Sequence, residues 1–368
     1  MWLRSLSLRN FRCYDHVELG FHKRMTVLVG LNGRGKSAIL DGVELALSAL
    51  DEEPLAIESR DVRMMPVREQ KRIVGMEQGL PVEIEADLGK LKVYRRLTER
   101  HGETDTTVSG KCDVSPIHVF AYYDTGRINR EAYFFSRPFS EIEEQFPAIQ
   151  KAVNMGIRRY HARLEYNSTL EKFVIFDRHD GELLAESSSD GARCILGMAA
   201  DLAWRLALAN PEAGPDAVKK TPGIVLIDEV DLLLHPSWQQ YVLTDLQRIF
   251  PKVQFIVTTH SPQVLSTVAA ECIRILDDRY NRVVVPQFSL GAESWQLLQD
   301  IQHVSSRPGH VPIVRALQRY LELISLDEYD SAEAKKLRQR LDQWAGTNDP
   351  VLVRADMDIR LRRMRSRS

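Results

Sequence analysis

The apolar positions of this chain change period several times, and each change marks an element. Trp2 to Arg9 alternates apolar and polar side chains, which predicts a half-buried strand near a sheet edge. It runs into Asn10-Phe11-Arg12, and a second strand, Val17 to Phe21, follows. Met25-Thr26-Val27-Leu28-Val29 is a short run rich in β-branched residues and reads as a fully buried strand. Beyond a glycine-rich stretch, Ile39, Val43, Ala46, Leu47 and Leu50 recur at helical spacing. Residues 51–78 are charged and weakly periodic, consistent with loop and short helix. Val82 to Ala86 and Leu91 to Tyr94 alternate cleanly and predict a hairpin turning near Gly89. Pro116 to Tyr123 is another apolar strand, ending in Asp124-Thr125-Gly126-Arg127.

From Ile128 to Ser168 the chain is aromatic and reads as mostly helical. Tyr133, Phe134, Phe135, Phe139 and Phe146 either form the core of a small helical layer or present a docking face. Lys172 to Phe176 is a strand that turns at Asp180-Gly181. A long helix then places Ile195, Ala199, Leu202, Ala203 and Leu206 on one side. Ile224-Val225-Leu226-Ile227 and Phe255 to Thr259 have the continuous apolar character of parallel strands covered on both faces. Cys272 to Leu276 and Val283 to Val285 close the sheet. From Ser294 the pattern is helical and amphipathic, with Asp349-Pro350 as a cap followed by proline at the first helical position. Repeats, heptads and low-complexity tracts are absent from the sequence.

Three strand ends carry chemistry. Gly30-Leu31-Asn32-Gly33-Arg34-Gly35-Lys36-Ser37 fits G-x-x-x-x-G-K-[ST] and sits between a buried strand and a helix. Glycines let consecutive N–H groups turn toward an anion, and the helix adds its unpaired N–H groups and dipole. Lys36 can reach β- and γ-phosphates, and the Ser37 hydroxyl can ligate Mg²⁺. Asp228 and Glu229 end the Ile224 strand, where parallel sheets bind ligands. Asp228 can hold Mg²⁺ through water, and Glu229 can polarise a water attacking the γ-phosphate. Asp231 is a loop charge or a supporting group. His260 ends the Phe255 strand, from which it can hydrogen-bond the γ-phosphate or that water. Ser187 to Arg193, taken alone, reads as a helix start capped by Ser189 or Asp190.

Composition narrows the setting. The chain has 368 residues, with 49 Lys plus Arg against 51 Asp plus Glu, so any basic surface is local. Six arginines, Arg354, Arg360, Arg362, Arg363, Arg365 and Arg367, gather at the end; there Arg360 and Arg362 can pair with Asp356 and Asp358, or the tail can meet nucleic acid. Cys13, Cys112, Cys194 and Cys272 form no C-x-x-C pair, which points to a reducing compartment and no structural zinc. The sequence shows no signal-peptide pattern and no apolar run near the ~18 residues a membrane span needs. The expectation is a soluble cytoplasmic protein that makes no membrane contact.

Taken together, these motifs resemble the ABC-type ATPases of the RecF and SMC branch. Leu6-x-Leu8-x-Asn10-Phe11-Arg12 is similar to their first-strand motif, and the resemblance implies a place near the nucleotide for Arg12. Gly30 to Ser37 matches their Walker A and Ile224 to Glu229 their Walker B. His235-Pro236 lies in their D-loop region, and His260 stands at their switch histidine. Ser188-Ser189-Asp190-Gly191-Ala192 sits at their signature motif L-S-G-G-Q, departing at Ser188, Asp190 and Ala192. No convincing Q-loop glutamine is visible; Gln70 and Gln78 are candidates without context. Tyr122 to Arg127, Ile227 to Pro236, Thr259 to Gln263 and Asp349 to Asp356 further resemble compact ATP-binding proteins that include PtuA of Septu and retron antiphage systems.

The resemblance implies an α/β fold: a P-loop ABC-ATPase-like head with a mixed central sheet, an antiparallel β subdomain and a helical subdomain. The head is expected over 1–290, with a helical insertion at about 128–170, and a helical region with a basic tail over 291–368. It further implies ATP and Mg²⁺ as ligands. Asn32, Gly33, Gly35, Lys36 and Ser37 would hold the phosphates, and Ser37 and Asp228 the metal. Glu229 and His260 would be catalytic, and Ser189 and Gly191 would act from a second copy in a homodimer or higher oligomer. Implied partners are an HNH nuclease like PtuB on a separate chain, a retron reverse transcriptase with its msDNA, and nucleic acid. The competing expectations are a RecF-like repair ATPase and an ATP-bound scaffold with little turnover. A transporter motor is disfavoured by the Asn10-Phe11-Arg12 opening and the altered signature. The stretch between Ser37 and Ser189 is too short for an SMC-like arm.

Overall fold

The computed structural model describes residues 1–69, 72–99, 102–110, 119–126, 131–156, 163–177, 181–277 and 282–365. The expectations for Gln70, Cys112, Arg127, Asp180, Arg367 and the start of the Pro116 strand lie outside the described residues. The chain divides into two compact units, Met1–Gln302 and His303–Ser368. The first unit runs past residue 290 because Leu297 and Ile301 are buried in its main core.

In the first unit, β1 (Ser5–Phe11) and β2 (Tyr14–Gly20) form an antiparallel pair, and β3 (Met25–Val29) leads into α1 (Lys36–Ser48). Next comes a hairpin, β4 (Arg63–Glu69) and β5 (Arg72–Gly79). The loop and short helix expected across 51–78 are therefore mostly hairpin, with one 3₁₀ turn at Ser59–Asp61. Met64, Ile73 and Met76 on it are exposed, which weakens any burial period in the sequence.

β6 (Val82–Asp87) and β7 (Leu91–Leu97) form the expected hairpin, and β8 (Thr104–Gly110), a polar strand, adds to its edge. β9 (Val119–Tyr123) precedes the aromatic stretch, where 3₁₀ turns at Glu131–Ser136 and Phe139–Glu141 lead to α2 (Phe146–Met155). β10 (Arg163–Asn167), β11 (Lys172–Asp177) and β12 (Gly181–Leu184) make a small antiparallel sheet. Phe139 stacks on Tyr166 at 4.0 Å between ring centroids. Phe134 and Phe135 do not form a separate core; they join the cluster that contains Val27 and Ile227.

α3 (Asp190–Ala209), β13 (Gly223–Ile227), α4 (Val242–Ile249), β14 (Val253–Thr258), β15 (Ile273–Asp277), β16 (Arg282–Val284) and α5 (Ser294–Asp300) complete the unit. The principal sheet has the order β16-β15-β3-β14-β13-β9, mostly parallel, with β16 antiparallel at one edge. A second sheet, β2-β1-β6-β7-β8, is antiparallel throughout. Strand alternation divides the core. Val27, Val225, Ile227, Phe255 and Val257 face one cluster, shared with α3, while Leu28, Ile224, Leu226 and Ile256 face another, shared with α1 and the antiparallel sheet.

The second unit packs α6 (Pro312–Ser325), α7 (Ala332–Trp344) and α8 (Pro350–Arg365) around Leu317, Tyr320, Leu341 and Leu352. Asp349 caps α8, accepting from Val351 N–H at 2.9 Å and receiving Arg307 at 2.8 Å. Arg362 pairs with Asp358 as the helical spacing predicts, but Asp356 is taken by Arg338 rather than Arg360. No helix among the described residues is long and apolar enough to cross a membrane.

Arg95, on β7, fastens α1 to the antiparallel sheet. Its side chain is buried and donates to the carbonyls of Leu45 (2.6 Å) and Leu55 (2.5 Å) and to the hydroxyls of Ser48 and Thr106 (both 3.2 Å). Burial pushes its pKa down, while carbonyls at the negative end of α1 supply the solvation that water would have given. Arg95→Met keeps the bulk and leaves those acceptors unpaired. It is expected to lower the unfolding free energy by roughly 2–3 kcal/mol in urea titrations.

Candidate nucleotide site

The sheet order brings three distant segments to one edge. β14 lies between β3 and β13, in parallel register with both, so Val29, Thr258 and Ile227 deliver their following residues side by side. In the loop after β3, Gly33 and Gly35 have φ of 76° and 81°. Gly35 has a second reason to be glycine: a Cβ there would come within 2.5 Å of Cys13 Sγ and the Tyr14 hydroxyl. Tyr14 donates to Arg34 O at 2.9 Å and braces the loop from β2. α1 starts at Lys36 without a side-chain cap.

Lys36 is buried and donates to Gly30 O (2.9 Å) and Leu31 O (3.1 Å). Burial pushes its pKa down, while Asp228, Glu229 and Asp231 pull it back up. Ser37 Oγ donates to Asp228 Oδ2 at 2.7 Å, joining the glycine loop to the carboxylate strand across 191 positions of sequence. Asp228 Oδ1 accepts from Thr258 Oγ1 at 2.5 Å, and the same threonine oxygen accepts the Glu229 N–H at 2.7 Å. Asp228 N–H also donates to Tyr123 O at 2.9 Å. Glu229 has φ of 48°, a left-handed conformation that costs a non-glycine residue about 1 kcal/mol or more. The Thr258 bond and the Val230 N–H to Thr258 O bond (2.9 Å) hold it there.

Thr259 Oγ1 donates to Asp231 Oδ1 at 2.5 Å, so Asp231 is a supporting group rather than a free loop charge. The sequence reading named both threonines but gave neither a role; their signal was a pair of hydroxyls ending an otherwise apolar strand just before His260. The ring of His260 is half-buried, and its Nε2 is buried without a hydrogen-bond partner. Gln302 Nε2 fixes its backbone, donating to His260 O at 2.8 Å. Burial, and then Lys36, push the imidazole pKa down, against the pull of Asp231, Glu229 and Asp228. The Nε2 atom is therefore available to hydrogen-bond a further group.

The other expected residues lie around this centre. Asn32 is exposed on the loop. Arg12 has φ of 50° and is held between Asp41 and Asp61, with 2.8 Å to Asp61. Asp41, one turn into α1, also accepts from Tyr122 OH at 3.0 Å. Arg12, Asp41, Glu44, Tyr122 and Asp124 line a cleft of about 660 Å³ beside α1. Asp41 was not singled out in the sequence, and Tyr122 only as the start of the Tyr122–Arg127 resemblance, without a role. Ser189 caps α3, its Oγ accepting from Ala192 N–H at 3.4 Å. A Cβ at Gly191 would come within 2.5 Å of Leu233 O, so α3 starts directly against the segment after Glu229. Asp190 is paired with Arg193. Ser189 is thus bonded within this helix start and Gly191 lies against the 233–234 backbone, rather than against the Lys36–Asp228 group. His235 Nδ1 meets Ser237 Oγ at 2.8 Å in a helix cap. Gln78 sits in the β4–β5 hairpin opposite Met64.

The chain belongs to the family described as "AAA domain, putative AbiEii toxin, Type IV TA system", whose model matches residues 25–266. It is similar to "Retron Ec83 probable ATPase" of Escherichia coli, 39% identical over 51% of this chain and 34% of that protein. It is also similar to "Septu protein PtuA" of Bacillus mycoides, 23% identical over 78% of this chain and 42% of that protein. The chain spans well under half the length of these curated relatives. Its fold is that of an SMC head: the "SMC head domain from Thermotoga maritima" superposes with a TM-score of 0.51, covering 78% of this chain and 100% of that one at 18% identity.

The depressed His260 pKa fixes the sign of a pH effect. A histidine whose folded pKa lies below its ordinary value contributes stability that is complete above that value and is lost as pH falls through the folded pKa. Urea unfolding between about pH 7.5 and pH 5 should show stability falling with pH, and the slope should be shallower in His260→Gln.

Proposed function

We propose that this chain binds ATP with Mg²⁺ between the Gly30–Ser37 loop and the Asp228–Glu229 strand end and hydrolyses it. Two copies close around the nucleotide, and the closed state governs a separate HNH nuclease of the PtuB kind in cytoplasmic antiphage defence. The observation that carries the reading is the Ser37–Asp228 hydrogen bond. It puts a hydroxyl and a carboxylate, both hard oxygen ligands, beside the loop whose N–H groups would hold the phosphates.

Ser37 and Asp228 fit Mg²⁺. Among the described residues no group of three or more His, Cys, Asp or Glu forms a metal cage, and Mg²⁺ in such sites is otherwise completed by phosphate oxygens and water. When bound, it would neutralise charge building on the β- and γ-phosphates. The chain's own groups do the rest. Lys36 exchanges the Gly30 and Leu31 carbonyls for phosphate oxygens and regains the charge stabilisation that burial removed. Asn32, Gly33 and Gly35 shape the loop around the anion, and Arg12, at the Asp41 end of α1, borders the nucleotide. Glu229, fixed by Thr258, orients the attacking water and accepts its proton. His260 Nε2 finds its missing partner in the γ-phosphate or that water.

Ser189 and Gly191 would act on the nucleotide of the second copy, offering the N-terminus of α3 to its γ-phosphate. Asp190 would oppose an approaching phosphate, but Arg193 offsets its charge. That substitution is the observation favouring the second reading, an ATP-held scaffold with little turnover. The PtuA and retron likeness supports a defence role, with a retron reverse transcriptase and its msDNA as the alternative partner. A RecF-like repair role would instead show as DNA-stimulated hydrolysis without a nuclease.

Lys36→Ala should reduce ATP affinity at least about a hundredfold by calorimetry, since one buried cation facing a triphosphate contributes about 3 kcal/mol or more. Glu229→Gln should keep affinity within a few-fold, cut hydrolysis by about 10²–10⁴ and accumulate an ATP-dependent dimer in sedimentation. Undiminished turnover by Glu229→Gln removes it as the base. A wild-type protein with no turnover above its Glu229→Gln form selects the scaffold.

A further inference from the structure

α8 is apolar on two opposite sides, and the structure covers only one of them. Leu352 and Ala355 are buried in the helical core, with Ile359 packed against it. At about 100° per residue, Met357, Leu361 and Met364 fall on the opposite side. They are 59%, 56% and 68% exposed. A helix with two apolar stripes ordinarily buries both. Beside the open stripe lies a groove of about 530 Å³ between α6 and α8, with Leu321, Ile324, Val351 and Ala355 among its lining and Met357 and Leu361 on its lip. Its volume lies within the usual range of ligand pockets, ~300–1,000 Å³.

The charges at its border identify the occupant. The carboxylates of α8 are already engaged: Asp356 with Arg338 and Asp358 with Arg362. Arg362 is further held by Asp327 at 2.6 Å and Arg363 by Asp330 at 2.7 Å. Arg354, on the groove wall, and Arg360, on the other flank of the stripe, are exposed and have no ion-pair partner among the described residues. An apolar strip edged by two uncompensated arginines disfavours a second copy of itself, because like charges would meet across a self-paired helix. It also disfavours nucleic acid, which would leave the apolar strip uncovered.

We propose that the α6–α8 groove is a docking site for an amphipathic helix of another protein whose apolar stripe is edged by Asp or Glu. This inference does not rest on the nucleotide reading, because all its residues belong to the C-terminal unit.

The probe is a synthetic helical peptide with a leucine stripe flanked by glutamates, and its counterpart flanked by lysines. Both are titrated against the whole chain by fluorescence anisotropy at low and high salt. The glutamate peptide should bind, and more weakly at high salt; the lysine peptide should bind at least about tenfold more weakly. Arg354→Glu with Arg360→Glu should reverse that preference. Met357→Glu with Leu361→Glu should lose both peptides while keeping the circular dichroism and melting profile, as expected for exposed positions. Lys36→Ala should bind the glutamate peptide as wild type does, separating this site from the nucleotide pocket.

Equal affinity for the two peptides, binding of neither, or no reversal in the charge-swapped protein overturns the proposal. So does nucleotide-independent self-association abolished by the Met357→Glu, Leu361→Glu pair, which would make the occupant a second copy. Duplex DNA binding that depends on Arg354 and Arg360 but not on Met357 and Leu361 would equally overturn it, leaving only a basic surface.

Discussion

The Ser37–Asp228 hydrogen bond is the contact on which the rest of the site depends. It closes a loop of 191 positions, and neither partner could reach the other without the strand that lies between them. β14 pairs with β3 on one side and β13 on the other, all three parallel, so their carboxyl ends are level. Thr258 occupies the middle strand end and touches both halves of the carboxylate pair, accepting from Glu229 N–H and donating to Asp228. The order of strands, rather than any single motif, therefore makes a glycine loop and a distant acid into one pocket.

Around that bond the protein concentrates charge where it has little water. Lys36 and Asp228 are buried and His260 half-buried, and Asp228 is held by both Ser37 and Thr258. The lysine rests on loop carbonyls, and the histidine nitrogen has nothing. Unsatisfied buried polar groups usually cost about 1–3 kcal/mol each. Glu229 in a left-handed backbone conformation adds to the same account, held in place by Thr258.

Beside α1, the charges of Arg95 and Arg12 are partnered. Arg95 has four acceptors and locks α1 onto the antiparallel sheet, and Arg12 is closed between Asp41 and Asp61 on the other flank of the helix. Asp41 links Arg12 to Tyr122 on β9, next to the Asp228 strand. The helix that begins at Lys36 is thus anchored at its far end and along its side, and its N-terminus carries no side-chain cap.

The sequence by itself determined the buried strands, the glycine loop, the carboxylate pair and the helix cap at Asp349, because each is a local pattern with a local cause: period, backbone freedom or an unpaired N–H. It also marked Gly191 without showing why; the reason is Leu233 O, 42 residues away, against which a side chain would collide. The β4–β5 hairpin and β8 escaped it because Met64, Ile73 and Met76 are exposed and β8 is polar, so neither shows a clear hydrophobic alternation. Thr258 and Asp41 escaped it, and Tyr122 was marked without a role, because a hydroxyl, a helix carboxylate and a strand tyrosine are ordinary until the sheet order sets them beside Asp228 or Arg12. Which strands are neighbours is a property of the packed sheet, fixed by long-range pairing and the sharing of two hydrophobic cores. Only the tertiary structure could therefore decide that three separate strand ends make one site.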